Sequence, residues 1–364
     1  MTDLSAPTGP SEPIEPEPTG SEPEPTSSWS RLVALGALLF VATLAILLGL
    51  GAVAQGSGRG TASSESTPTP RAAQVTSAGP TMSQGAPSAP PSPSAKPAPS
   101  GDPVLIGAGD IAYCDRETDS ETAALLAGQE GTVFTAGDNA YPDGTPEQFV
   151  DCYGSSWGRE LARTRPAPGN HDHHTADLAG YLGYFGASAA PDGTAWYSYD
   201  LGSWHVIMLD ATCDAAGGCS ADSAQGRWLA ADLASSDSVC TLAVWHEPRF
   251  SSGEHGNAAA VAPFWDALYA AGADLIVNGH DHDYERFAPQ DPSGAADPGR
   301  GIREFVVGTG GAELRGFGAQ AANSELRIAG IFGVIRLVLH PGAYEWSFVA
   351  TSGVVPDAGL GKCH

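Results

Sequence analysis

Apolar residues along this chain fall into one long run and many short ones. The long run, residues 32–54 (Leu32 to Ala54), is 23 apolar or small residues without a charge. The short runs begin after residue 101. Val104–Ala108, Thr132–Ala136, Val206–Leu209, Thr241–Val244 and Leu275–Val277 read as buried strands. Between them, Thr118–Gly128, Ala224–Ser235 and Ala258–Ala271 carry helical patterning. Glu304–Val307, Gly333–Leu339 and Tyr344–Val349 follow as further strands without long helices. The alternation predicts an α/β domain with helices outside the sheet, and the late strands predict a second sheet packed on the first. Trp157, Trp196, Trp228 and Trp265 read as core, and no internal repeat is present.

Polar stretches set the boundaries. Residues 1–31 are dominated by Pro, Glu, Ser and Thr, which cannot bury enough apolar surface to offset ordering entropy, so a disordered tail is expected. Residues 55–101, rich in Ser, Pro, Thr, Gly and Ala, read as a flexible, partly extended spacer. Residues 102–364 form the folded domain. At about 1.5 Å per residue the apolar run is about 34 Å long, enough for one transmembrane helix. A cleaved signal peptide is the competing reading, because Ala52-Val53-Ala54 resembles a cleavage site and cutting near Ala54 would yield a secreted protein. The run exceeds the usual signal core of about 7–15 residues and follows an acidic stretch, so a single-pass membrane anchor is preferred.

All 10 His and all 6 Cys lie in the folded domain. Six cysteines suit an oxidising compartment, which places that domain outside the cytoplasm. Cys213 and Cys219 are close enough for a local loop, and Cys240 with Cys363 and Cys114 with Cys152 would complete three bridges, although the pattern does not fix the pairing. The net charge is −25, with 35 Asp+Glu against 13 Lys+Arg in residues 102–364. Nucleic-acid binding, which draws on phosphate neutralisation, is not expected of such a surface. Docking on anionic lipid is not expected either. Most of the acidity reads as a solvated surface and part of it as metal ligation.

Five short segments follow predicted strands: Gly109-Asp110-Ile111-Ala112, Gly137-Asp138-Asn139-Ala140-Tyr141, Gly169-Asn170-His171-Asp172, Trp245-His246-Glu247-Pro248 and Gly279-His280-Asp281-His282. Ligands of open α/β sheets bind beyond the carboxyl ends of strands, so five loops would deliver Asp, Asn, Tyr and His to one edge. Glycine beside the polar residues permits sharp turns. Carboxylate and amide oxygens with imidazole nitrogens suit Zn, Mn or Fe. His280 and His282, one residue apart, point the same way on an extended strand end and can serve two adjacent metals.

In order and spacing these segments resemble the calcineurin-like metallophosphoesterase superfamily. The superfamily pattern has a His two residues after the first Asp, where this chain has Ala112, and Tyr141 stands three residues after Asp138. Both departures resemble purple acid phosphatases. The resemblance covers roughly residues 103–350 and implies a two-sheet αββα sandwich. It also implies two metal ions, Fe(III) with a divalent Fe, Zn or Mn. Asp110, Asp138, Tyr141 and His282 would hold one metal, and Asp138, Asn170, His246 and His280 the other. His171 matches the family's substrate-binding or acid histidine, and His255 sits where relatives often place another.

The implied reaction is hydrolysis of small phosphate esters, foremost phosphomonoesters, by in-line attack of a metal-bound hydroxide between ions about 3.5–4 Å apart. An extracellular phosphodiesterase or nucleotidase is the alternative, and a non-catalytic surface binding module the third reading. Other residues take plainer readings. His173 and His174 are expected to be exposed, His205 to pack at a strand start and Arg286 to pair locally. Asp172 either orients His171 or faces solvent. Gly308-Thr309-Gly310-Gly311 is a tight loop offering backbone donors.

Overall fold

A computed structural model describes residues 101–364. The expected tail (1–31), membrane helix (32–54) and spacer (55–101, Gly101 excepted) lie outside the described residues. Among the described residues no helix is long and apolar enough to cross a membrane.

The chain begins with β1 (Val104–Ala108), β2 (Ala112–Tyr113), α1 (Thr118–Ala127), β3 (Thr132–Ala136), β4 (Ala140–Tyr141), α2 (Pro146–Asp151), β5 (Thr164–Ala167) and α3 (Ala179–Phe185). It continues with β6 (Tyr197–Leu201), β7 (Trp204–Met208), α4 (Ala224–Ser235), β8 (Cys240–Val244), α5 (Ala262–Ala271), β9 (Leu275–Asn278), β10 (Tyr284–Phe287) and β11 (Arg303–Val307). β12 (Ser324–Ile328), β13 (Gly333–His340), β14 (Ala343–Ala350) and β15 (Asp357–Lys362) complete it. One sheet has the order β15-β14-β13-β1-β3-β5, with β1, β3 and β5 parallel. The other has the order β12-β10-β11-β9-β8-β7-β6, with β7, β8, β9 and β11 parallel. The architecture is a mixed α/β sandwich of two sheets.

Alternating side chains explain why β7, β8, β9 and β11 read as unbroken apolar runs. Val206, Met208, Leu242, Val244, Leu275, Val277, Phe305 and Val307 enter the core shared with the first sheet. Their neighbours Ile207, Ala243, Trp245, Ile276 and Val306 face the opposite way and pack against Leu229 of α4 and Phe264, Trp265 and Leu268 of α5. Strands covered on both faces lose the polar half of the alternation. Trp157 and Trp265 are fully buried, whereas Trp196 and Trp228 are partly buried against the second cluster.

Local signals fix several helix starts. Thr145 caps α2 in a reciprocal pair with Gln148, with Pro146 at the first helical position. Ser223 caps α4 by accepting from Gly226 N. The helix expected over Ala258–Ala271 begins later, at Ala262, after a 3-10 turn over Ala259–Val261. The cysteines pair as Cys114–Cys152, Cys213–Cys219 and Cys240–Cys363.

Candidate metal centre

Five strand ends deliver the candidate residues to one edge. Asp110 follows β1, Asp138 follows β3, and Asn170 and His171 follow β5 in the first sheet. His246 follows β8, and His280 and His282 follow β9, in the second. The loops after β1 and β3 pair with each other as β2 and β4, which sets Tyr113 on Tyr141 with ring centroids 4.5 Å apart. Asp110, Asp138 and His280 have left-handed backbone, with φ of 61°, 50° and 71°. Such positions cost energy for non-glycine residues and collect at functional sites. Gly137 has φ 81°, and a Cβ there would lie 2.5 Å from His246 Nδ1, so this turn requires glycine on both counts.

The side chains converge. Tyr141 O lies 2.8 Å from Asp110 Oδ1, 2.9 Å from Asp138 Oδ2 and 3.3 Å from His282 Nε2. His282 Nε2 is 3.1 Å from Asp110 Oδ1. The same Asp138 Oδ2 lies 3.1 Å from His246 Nε2, and His280 Nδ1 is 3.2 Å from His246 Nε2. Asp110, Asp138, His246 and Tyr141 are all buried. His246 Nδ1 bonds to Ala136 O at 2.8 Å and His282 Nδ1 to Glu313 O, which turns each Nε2 inward. Asn170 is brought to the same edge by the 169–172 loop, where His171 N donates to Asp138 Oδ1 at 2.8 Å, and its buried Oδ1 has no hydrogen-bond partner.

Electrostatics follow from burial and pairing. Burial raises the Asp110 carboxyl, but His282 and His246 outweigh it and leave the group below its ordinary value. Asp138 is likewise held well down, burial being overcome by His246 and His171. His246 is raised well above the usual histidine range by Asp138 and Asp110 against the effect of burial. His280 is pushed down to about 3 by burial and by the neighbouring His246. Burial and the two carboxylates raise the Tyr141 phenol well above 10.

This donor set fits cations. The carboxylates of Asp110 and Asp138 and the His282 imidazole crowd around the Tyr141 phenol oxygen, and one phenolic proton cannot satisfy both carboxylate oxygens that face it. The orphaned Asn170 oxygen and the close approach of His246 and His280 repeat the situation beside Asp138. Among the described residues, Asp110, Asp138 and His246 have ligand atoms within 4.8 Å of one another.

The periphery departs from expectation in several places. Asp172 neither faces solvent nor bonds His171. It is buried and accepts from Gly169 N at 2.9 Å and from Asn139 Nδ2 at 2.9 Å, so it braces two of the loops. His171 is oriented instead by Pro142 O, 2.6 Å from its Nδ1, leaving Nε2 3.9 Å from Asp138 Oδ2. His173, expected to be exposed, has a side chain only 12% accessible and bonds Asp210 at 2.9 Å. His174 is exposed as expected. His255 lies over His280, ring centroids 4.3 Å apart, with its backbone held by Asp281 Oδ1 at 2.8 Å. The amides of Gly308 and Gly310 are not free donors, since they bond Asp283 O and Gly109 O. Arg286 pairs with Asp357 at 2.9 Å. Arg315, which bonds His255, was marked by nothing in the sequence except its place four residues after the Gly-rich loop.

Comparison with known proteins is consistent with this edge. Residues 96–284 match the family described as calcineurin-like phosphoesterase. Acid phosphatase A of Cryphonectria parasitica is 28% identical over 206 residues, 49% of this chain and 41% of its own length. Purple acid phosphatase 21 of Arabidopsis thaliana is 29% identical over 265 residues, 66% of this chain and 58% of its own. The chain thus spans about half the length of these relatives. A purple acid phosphatase, PPD1, from yellow lupin (Lupinus luteus) seeds shares the fold with a TM-score of 0.56 at 19% identity, covering 72% of this chain and 54% of the lupin chain.

Proposed function

Since the chain belongs to the calcineurin-like phosphoesterase family as a purple-acid-phosphatase-like member, we propose that it hydrolyses small phosphate esters, foremost phosphomonoesters, with two metal ions. Asp110, Asp138, Tyr141 and His282 would hold one ion, and Asp138, Asn170, His246 and His280 the other. An Fe(III) partnered by divalent Fe, Zn or Mn suits this set, the phenolate favouring the trivalent ion. When bound, such a pair supplies Lewis-acid charge to the phosphoryl oxygens and activates water near neutral pH. The observation that carries the reading is the convergence of Tyr141 O on Asp110, Asp138 and His282 within 3.3 Å.

The chain's own residues do the rest. Pro142 O holds His171 Nδ1, so its Nε2 faces the mouth of the centre and can carry a proton to the departing alkoxide or bond a phosphoryl oxygen. His255, resting on His280, would bind the phosphate as well. Asp172 acts through Gly169 and Asn139, holding the loops that carry Asn170 and Asp138.

A domain over residues 102–364, tethered outside the cytoplasm by a membrane helix over 32–54, completes the proposal. Its support is the uncharged apolar run and the three disulfides. A secreted form cut near Ala54 is the alternative.

Metal analysis combined with an aryl phosphate and its bis-aryl diester tests the proposal. Turnover of the monoester with two metals per chain is expected. Turnover of the diester alone replaces it with the phosphodiesterase reading, and fewer than about one metal with no hydrolysis replaces it with a binding module. A visible charge-transfer band that disappears in Tyr141→Phe identifies the ferric ion, and a colourless active protein removes it.

A further inference from the structure

The loop after β11 carries a guanidinium to the mouth of the centre. Ala312 N donates to Asp110 O at 2.8 Å and Arg315 N to His282 O at 3.0 Å, while Glu313 O receives His282 Nδ1. The backbone on which Arg315 stands is therefore fixed to two of the proposed metal ligands. The side chain is 27% accessible, and its Nη1 donates to His255 Nε2 at 2.6 Å. The His255 ring in turn lies 4.3 Å from that of His280.

Carboxylates nearby do not hold the guanidinium closely. Glu313 lies 3.4 Å from Arg315 Nη2 but has a nearer partner in Arg116 Nη2, at 3.1 Å. Glu254 is 3.7 Å away and 67% accessible, and such an exposed pair contributes little. The closest bond made by the Arg315 side chain is thus to an imidazole nitrogen rather than to a carboxylate, and an anionic oxygen can replace it. Charge-assisted bonds from arginine to phosphate are roughly twice as strong as neutral ones.

Resting on the proposed phosphoesterase function, we propose that Arg315 is a specificity-determining residue: beside His255 it bonds a non-bridging oxygen of the substrate phosphate and selects phosphomonoester dianions over diesters. A monoester offers one more charged oxygen than a diester. Arg315 discriminates between them at that oxygen, where the diester carries a second alkyl or aryl group.

The test uses the full chain, loaded with metal, as wild type, Arg315→Ala and Arg315→Lys. The readouts are kcat and KM for an aryl phosphate and its bis-aryl diester, the dissociation constant of inorganic phosphate by calorimetry, metal content and melting temperature. Arg315→Ala is expected to lower kcat/KM for the monoester by on the order of 10–100-fold, the scale of one charged hydrogen bond, and that for the diester by less than about threefold. Phosphate binding weakens in parallel, Arg315→Lys recovers part of both, and metal content and melting temperature stay at wild-type values. Equal losses on both esters would reduce Arg315 to a support for His255, and unchanged phosphate binding would remove it from the site; either overturns the proposal. If the wild type hydrolyses neither ester, the functional reading falls separately, and the phosphate measurement alone decides whether Arg315 contacts the anion. Should Arg315→Ala fail to fold, Arg315→Gln and Arg315→Lys carry the same comparison.

Discussion

At the scale of single residues, Asp138 occupies the most connected position. Its Oδ2 faces Tyr141 and His246, and its Oδ1 accepts from His171 N. Replacing it removes a ligand from both proposed ions at once. Asp138→Ala is expected to lower metal content from two to fewer than one per chain, read by elemental analysis. Turnover should fall more than about a hundredfold, beyond the roughly 10–100-fold typical of outer residues that only orient ligands. Asp110, Asp138 and His280 were legible because each follows a glycine just after an apolar run, and His246 because it directly follows one, a pattern local in sequence. Asp172 and His173 were misread for the opposite reason. Their partners, Gly169 and Asn139 in one case and Asp210 in the other, are chosen by how three loops stack. Nothing in the neighbouring sequence announces that choice. Arg315 was invisible for the same reason, its partner His255 lying 60 positions away.

Elements divide according to how their two faces are covered. β1, β3, β8 and β9 were readable because both faces are buried. β5 was not, since Thr164-Arg165-Pro166-Ala167 carries a charge and a proline, which a strand tolerates at the edge of its sheet. β12 and β15 also lie at edges, with mixed or exposed positions that blur the apolar signal. Helices α2 and α3 escaped notice because they are short, and Gly180 of α3 packs against the turn that leads into α2. A Cβ on Gly180 would lie 2.0 Å from Gly144 O, a backbone atom that cannot rotate away. Gly180→Ala is expected to destabilise by about 1–3 kcal/mol, the usual cost of overpacking, measured by urea unfolding. His205 of β7 joins three elements, bonding Asp232 of α4 at 2.8 Å and Asp200 of β6 at 3.2 Å. The bond to Asp232 raises its pKa, burial opposing and Asp200 assisting. The folded protein therefore holds this proton more tightly than the unfolded chain. The resulting stabilisation is complete below the unfolded value of about 6.5 and lost as pH climbs through the higher folded value. Relative to His205→Gln, the wild-type urea midpoint should decline as pH rises above about 6.5, and a constant difference would contradict the assignment.

Across the whole molecule, the bridges act on very different lengths of chain. Cys240 opens β8 in one sheet and Cys363 follows β15 at the edge of the other, 123 residues apart, whereas Cys213 and Cys219 enclose a separation of 6. Loop entropy assigns about 5 kcal/mol to the long bridge and about 2 kcal/mol to the short one. Paired Cys→Ser variants should rank in that order by urea midpoint, with the Cys240/Cys363 pair losing more. A further consequence attaches to the left-handed backbone of Asp110, Asp138 and His280. Glycine is the residue that such a conformation accepts without penalty. A laboratory evolution campaign that rewards heat resistance and ignores turnover would accordingly drift toward glycine there. Each apparent improvement would discard a donor atom, and the survivors would be sturdier proteins with an emptied centre.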